Sequence, residues 1–126
     1  MCSSDLARRT LGDLGERIAI QHLLAKGYSI RERNFRTREG EIDIIAQCQD
    51  TLAFVEVKTR RGSAFGTAIE AINSAKQRRL VALAEAYGQQ RDGLPSTQRI
   101  DVIALDLASD GRLISLQHIE GAVEAE

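Results

Sequence analysis

The chain has 126 residues, 28% of them charged, and a formal net charge of −1, which is the size of one domain with a single core. It has no tryptophan, so that core must rest on Leu, Ile, Val and Ala. No apolar run is long enough to cross a bilayer, the start MCSSDLARR carries no apolar secretion segment, and two cysteines with two histidines are too few for a zinc cluster; the default expectation is a cytoplasmic protein with no membrane partner.

The first ten residues read as a loose end. A helix is expected over 11–26, LGDLGERIAIQHLLAK, with Thr10 and Asp13 at its cap and Gly27 after its last turn. Its apolar positions Leu11, Ile18 or Ala19, and Leu23 recur at helical spacing, and Glu16 borders that stripe. Three strands are expected next, at 28–36, 41–47 and 51–59. The short polar link Cys48-Gln49-Asp50 makes the last two an antiparallel hairpin. RRGSAFGT at 60–67 has the glycines and polarity of a loop, in which Phe65 either caps the core or touches a base.

A second helix is expected over 68–88. Thr67 and Glu70 match a capping box, Ile69, Ile72, Leu80, Leu83 and Tyr87 mark the buried side, and Gly88 marks the end. A strand follows at 98–107, then a Ser109-Asp110-Gly111 turn and a short strand RLISLQHI, with a loose tail from Glu120. The order α-β-β-β-α-β-β predicts an α/β fold with a mixed β-sheet flanked by helices. The long helical connection allows the third and fourth strands to be parallel neighbours.

Charge is unevenly spread. Residues 58–79 carry six basic side chains (Lys58, Arg60, Arg61, Lys76, Arg78, Arg79) against Glu70 alone, whereas 92–126 carry seven acids against two arginines. Such asymmetry suits either a polyanion-binding surface or solvated helix and loop faces.

The chemistry concentrates on two strands. In FVEVKTR at 54–60, Glu56 and Lys58 share one side of the strand. In GEIDIIA at 40–46, parity places Glu41 and Asp43 on one side and Ile42 and Ile44 on the other. A Glu-X-Lys pair by itself is better explained by a solvated salt bridge worth ~0–1 kcal/mol. The hairpin, however, puts Asp43 across from Glu56. Two close carboxylates repel unless a proton or cation intervenes, and oxygen ligands of this type suit Mg²⁺ or Mn²⁺. The carbonyl of Val57 is a further candidate ligand, Glu16 a supporting acid, and Lys58 a group to orient or activate a water. Arg60, Arg61, Lys76 and Arg79 are placed to hold a phosphate backbone. Glu41 competes with Asp43, but it lies at the strand start, as a solvated edge residue or a peripheral acid. Arg99 and Asp101 share a face of the fourth strand, either as a salt bridge or, if that strand lies beside the third, as neighbours of the acids. His22 and His118 have no partners visible by spacing and read as structural.

The set Glu16, Asp43 and Glu56-Val57-Lys58 resembles the PD-(D/E)XK nuclease superfamily. The segments GDLGERIAIQHLLAKGY, ERNFR, GEIDIIA, LAFVEVKTR, FGTAIEAI, KQRRL and RIDVIAL, spread over roughly 12–119, resemble more closely the YraN-type family of uncharacterised endonuclease-like proteins. The resemblance implies a restriction-endonuclease-like core, α-β-β-β-α-β, to which this chain adds a C-terminal strand. It implies Asp43 and Glu56 as metal ligands, Glu16 in support and Lys58 at the attacking water. By likeness to Holliday-junction resolvases it adds Lys76 and Gln77 on the helix after the Glu-X-Lys strand. The residue before Asp43 is Ile42 rather than proline, which costs little because that proline binds nothing. The implied activity is metal-dependent hydrolysis of nucleic-acid phosphodiesters, DNA before RNA, including branched or damaged DNA. A domain this small has little surface to wrap a duplex, which points to a homodimer or a larger protein partner. The rival readings are a nucleic-acid-binding module that does not cleave, and a protein-interaction scaffold that works through the acidic C-terminal third.

Overall fold

The computed structural model describes residues 3–62 and 72–123. Its elements are α1 (Ser3–Ala25), β1 (Ser29–Thr37), β2 (Gly40–Cys48), β3 (Thr51–Arg61), α2 (Ser74–Gln90), β4 (Thr97–Leu107) and β5 (Leu113–Val123). The strands form one mixed sheet in the spatial order β1-β2-β3-β4-β5. β1 with β2, β2 with β3, and β4 with β5 run antiparallel; β3 and β4 run parallel, with α2 in the crossover between them. The α/β class and the element order are those the sequence predicts.

Several boundaries differ from expectation. α1 begins at Ser3, so Thr10 and Asp13 lie inside the helix instead of capping it. Nothing in SDLARR stops a helix, and Leu, Ala and Arg are strong helix formers. At the other end Gly27 has φ 94°, Gly27 N–H donates to the Leu24 carbonyl, and Tyr28 N–H donates to that of Leu23. These are the two bonds of a Schellman stop, and the positive φ is what requires glycine there.

β3 continues through Arg60 and Arg61, which pair with Asp106 and Leu107 of β4, where a loop was expected. The parallel ladder holds the backbone extended for as long as β4 offers partners. α2 begins at Ser74, not 68. Asn73 is its N-cap: the side-chain oxygen accepts from Lys76 N–H at 2.9 Å, and Ile72 lies before the helix. Thr67, Ile69, Glu70 and Phe65 lie outside the described residues. α2 also runs past Gly88 to Gln90, and β5 extends through Glu120 to Val123.

The central strands of the sheet are buried on both faces. On one, Leu80, Leu83 and Tyr87 of α2 pack on Phe35, Ile42, Ile45, Leu52 and Phe54. The Tyr87 ring meets Phe35 and Phe54 edge-on, at 5.1 and 5.7 Å, a favoured aromatic geometry. On the other face, Ala19 and Leu23 of α1 pack on Ile44, Ala46, Ala53, Val55, Ile103 and Leu105. Each large side chain so buried stabilises the fold by roughly 1.5–3 kcal/mol. Tyr28 and Phe35, at the start and near the end of the first predicted strand, both pack inward, on opposite faces.

Candidate functional site

The site forms where the hairpin of β2 and β3 comes apart. Their paired register runs from Cys48↔Thr51 to Ile44↔Val55. One residue further, a side chain takes over from the ladder: Val57 N–H donates to Asp43 Oδ2 at 2.8 Å. The alternation expected for β2 also breaks at Asp43. Ile42 packs on the α2 face and Ile44 on the α1 face, so they do not share a side. The reason is local. β2 has lost its pairing to β3 there, and across it on β1 stands Asn34 with φ 54°, so both neighbours let the strand rotate.

α1 supplies the next acid. A Cβ on buried Gly15 would overlap Thr59 Oγ1 and lie 3.0 Å from Thr59 Cβ. The bare glycine therefore lets α1 approach β3 more closely than any other residue would allow. This contact sets Glu16 over the cleft. Leu11, Gly12, Glu16, Asp43, Glu56, Val57, Lys58 and Thr59 line that cleft, of about 330 Å³, which brings Glu16, Asp43, Glu56 and Lys58 together as the sequence expects.

The detailed grouping is different. Glu16, Glu41 and Asp43 place a carboxylate oxygen each within 4.8 Å of one another, a group able to hold a metal ion. Glu41, read in sequence as a solvated edge residue or a peripheral acid, is thus a member. Glu56 is only 5% exposed, and its Oε2 lies 3.0 Å from Lys76 Nζ. Lys76, expected to meet phosphate, is here the counter-charge of Glu56. Burial raises the pKa of the Asp43 carboxyl to about 8; the charge of Glu56, then those of Glu16 and Glu41, act in the same direction, while the Val57 N–H opposes them.

Three residues of β1 hold the acids from outside. Asn34 Nδ2 donates to Glu41 Oε2 at 2.7 Å and to Glu16 Oε1 at 3.4 Å. Arg36 Nε donates to Glu41 Oε1 at 2.7 Å, and Arg33 Nη2 lies 3.6 Å from Glu16 Oε1. Sequence reasoning missed Asn34 and Gly15. The only signals were a glycine inside a helical pattern and an asparagine inside a strand.

The other basic candidates are spread out. Arg61 is exposed at the end of β3 beside the half-buried Arg60. Exposed Arg79 lays its aliphatic stem over Gly40, at the start of β2. Gln77 lines a separate shallow depression with Ser74, Arg78, Val81 and Val123.

β4 does lie beside β3, yet Asp101 does not join the acids. Fully buried, it accepts from Arg99 Nε at 2.9 Å, Arg99 Nη2 at 3.0 Å and Gly121 N–H at 3.0 Å, with His118 Nε2 at 2.8 Å. Burial raises its pKa, but the bonds from His118, Arg99 and Gly121 outweigh burial and hold it below the ordinary value. His118 Nδ1 in turn faces Lys26 Nζ at 3.0 Å and His22 Nε2 at 3.3 Å. The histidines thus have partners that spacing did not reveal, and the network ties α1, β4 and β5 together.

The profile of the uncharacterised protein family UPF0102 matches residues 15–105. A UPF0102 protein of Symbiobacterium thermophilum is 50% identical over 105 residues, covering 83% of this chain and 89% of that one. A UPF0102 protein of Roseiflexus castenholzii is 47% identical over 120 residues, covering 93% and 96%. Among solved structures, SfsA of Pyrococcus furiosus in complex with Ca²⁺ aligns with 94% of this chain and 65% of its own, at 18% identity and a TM-score of 0.43. The matched stretch spans every acid of the cleft and Lys58, and by these matches the chain belongs to the uncharacterised protein family UPF0102.

Proposed function

We propose that this protein is a metal-dependent nuclease that hydrolyses phosphodiester bonds of nucleic acid, with DNA as the preferred substrate and Mg²⁺ or Mn²⁺ as cofactor. The observation that carries this reading is the gathering of Glu16, Glu41 and Asp43 around one point, in a cleft that also holds Glu56 and Lys58.

The donor set fits such an ion. All the ligands are oxygens, carboxylates with one backbone carbonyl, as hard divalent cations prefer. Asp43, Glu16 and Glu41 would hold the cation, with Glu56 and the Val57 carbonyl as further ligands on the β3 side. When bound, the cation supplies Lewis-acid activation of the phosphoryl group and of the attacking water. The residues of the chain do the rest. The charge on Asp43, costly in the empty site, becomes favourable beside a cation, so the proton it holds leaves as the site fills. Lys58 lines the same cleft and orients the attacking water while offsetting charge on the phosphate. Lys76, which neutralises Glu56 at 3.0 Å, is the charge a bound cation would release toward the substrate backbone. Arg60 and Arg61, which end the strand that carries Lys58, are the basic approach for that backbone.

A cleavage assay with Mn²⁺ and with Mg²⁺, on single-stranded, duplex, flap and four-way-junction DNA, tests this. The parent protein should cut at least one substrate. Asp43→Asn and Lys58→Ala should each cut at least ~100-fold more slowly, the scale of loss when a charged group acting in the transition state is removed. Undiminished cleavage in both variants would sink the assignment. Salt-sensitive binding without cleavage under any condition would favour a non-catalytic nucleic-acid-binding module.

A further inference from the structure

We propose that Asn34 is the positioning residue of the acid group: its side-chain amide fixes Glu16 and Glu41 at the spacing at which they share a cation. This rests on the metal-site reading above.

Asn34 lies on the edge strand β1, between Arg33, which pairs with Ile44, and Phe35, which pairs with Ile42. It therefore stands opposite Asp43. Its φ of 54° is left-handed, a conformation that costs most L-residues roughly 1–2 kcal/mol and that Asn tolerates better than most. Glycine would be the easier residue for that backbone, so the backbone alone does not account for an asparagine. The side chain does. Nδ2 carries two hydrogens, and it lies 2.7 Å from Glu41 Oε2 and 3.4 Å from Glu16 Oε1. One amide thus links an acid of β2 to an acid of α1, two elements with no backbone pairing between them.

The chemistry of the amide matters as well. A lysine or arginine between the two acids would neutralise them and repel an incoming cation. A neutral amide satisfies one lone pair on each carboxylate and leaves their charge available. The arginines, Arg33 and Arg36, approach from positions with largely exposed side chains, where solvent weakens their field.

Asn34→Gly separates the two roles, since it relieves the backbone and deletes the amide. Mn²⁺ binding by the full chain, followed by electron paramagnetic resonance of the free ion at pH 8, gives the affinity. Melting in EDTA gives the metal-free stability. We expect Asn34→Gly to bind Mn²⁺ at least ~10-fold more weakly, with a metal-free melting temperature within about 5 °C of the parent. An affinity equal to the parent's overturns the role of Asn34, provided that Asp43→Asn in the same experiment no longer holds the ion. A fall in melting temperature beyond that range also overturns it, because the residue would then hold the fold rather than the acids. If the parent binds no Mn²⁺, or Asp43→Asn binds as the parent does, the metal-site reading itself fails and this role with it.

Discussion

Asp43 is where the energetics of the site are sharpest at the scale of one residue. Its pKa in the folded protein, about 8, lies above the ordinary 3.8. Between those values the folded protein keeps a proton that the unfolded chain has released. Stability should therefore fall as pH rises through that window and level off above about 8. Asparagine can still accept from Val57 N–H but carries no charge. Asp43→Asn should thus melt higher than the parent in EDTA at pH 8, by about 2–8 °C, with the gap closing at pH 4. Mg²⁺ or Mn²⁺ should raise the melting temperature of the parent and leave that of Asp43→Asn unmoved. Calorimetric melts across pH, with and without the ion, check both statements. Residue types and strand parity pointed to Asp43 from the sequence. They did not point to Asn34, because no one-dimensional pattern shows a side chain reaching from one element to two others.

At the scale of elements, the site depends on how closely α1 lies on β3. Gly15 faces Thr59, and the overlap a Cβ would create there falls on a β-branched side chain with little room to turn. Gly15→Ala should lift α1, cost about 1–3 kcal/mol of stability, and weaken Mn²⁺ binding by moving Glu16. Adding Thr59→Ala removes the Oγ1 in the way, so the double variant should recover much of both losses. A double-mutant cycle on stability and Mn²⁺ affinity measures that coupling, and strictly additive losses would count against it. β5 is fixed differently. The buried Asp101 binds Arg99 and His118, and removing one partner of such a network costs ~3–5 kcal/mol, since a buried charge is then left uncompensated. The pairing of Arg99 with Asp101 was legible from their shared strand face. The part of His118, seventeen positions away, was not.

For the whole molecule, the relevant quantity is the distribution of charge rather than its sum. A net charge of −1 gives no general attraction to a polyanion, so any binding must come from a local basic surface. In the fold, Arg60 and Arg61 end β3 two and three residues beyond the cleft-lining Lys58, on the strand that carries Glu56. DNA binding by the uncleaving Asp43→Asn protein should therefore weaken steeply with NaCl. Replacing Arg60 and Arg61 by alanine should weaken it further and flatten the salt slope by about 2, one unit for each phosphate that an arginine neutralises. Fluorescence anisotropy over a range of salt concentrations measures the slope; an unchanged slope would place the nucleic-acid surface elsewhere. No helix among the described residues is long and apolar enough to cross a membrane.

Local patterning alone settled the element types, their order and the hairpin of β2 and β3, because periodicity and turn chemistry act over a few residues; the acids were candidates that the family resemblance singled out. Boundaries were less legible. α1 starts well before its cap-like Thr10 and Asp13, at Ser3, and β3 lasts as long as β4 supplies a ladder. What only the tertiary structure decided is which acids form the site. Parity assigned Glu41 and Asp43 one side of β2 and ranked Glu41 as an edge residue. Glu41 and Asp43 do lie together, but the strand rotates at Asp43, where pairing to β3 has ended and Asn34 takes a left-handed backbone opposite, and Ile42 and Ile44 part to opposite faces. Glu16 of α1 completes the group with Glu41 and Asp43, while Glu56 pairs with Lys76. Spacing along a chain cannot carry this information, since these groupings bring together side chains from different elements.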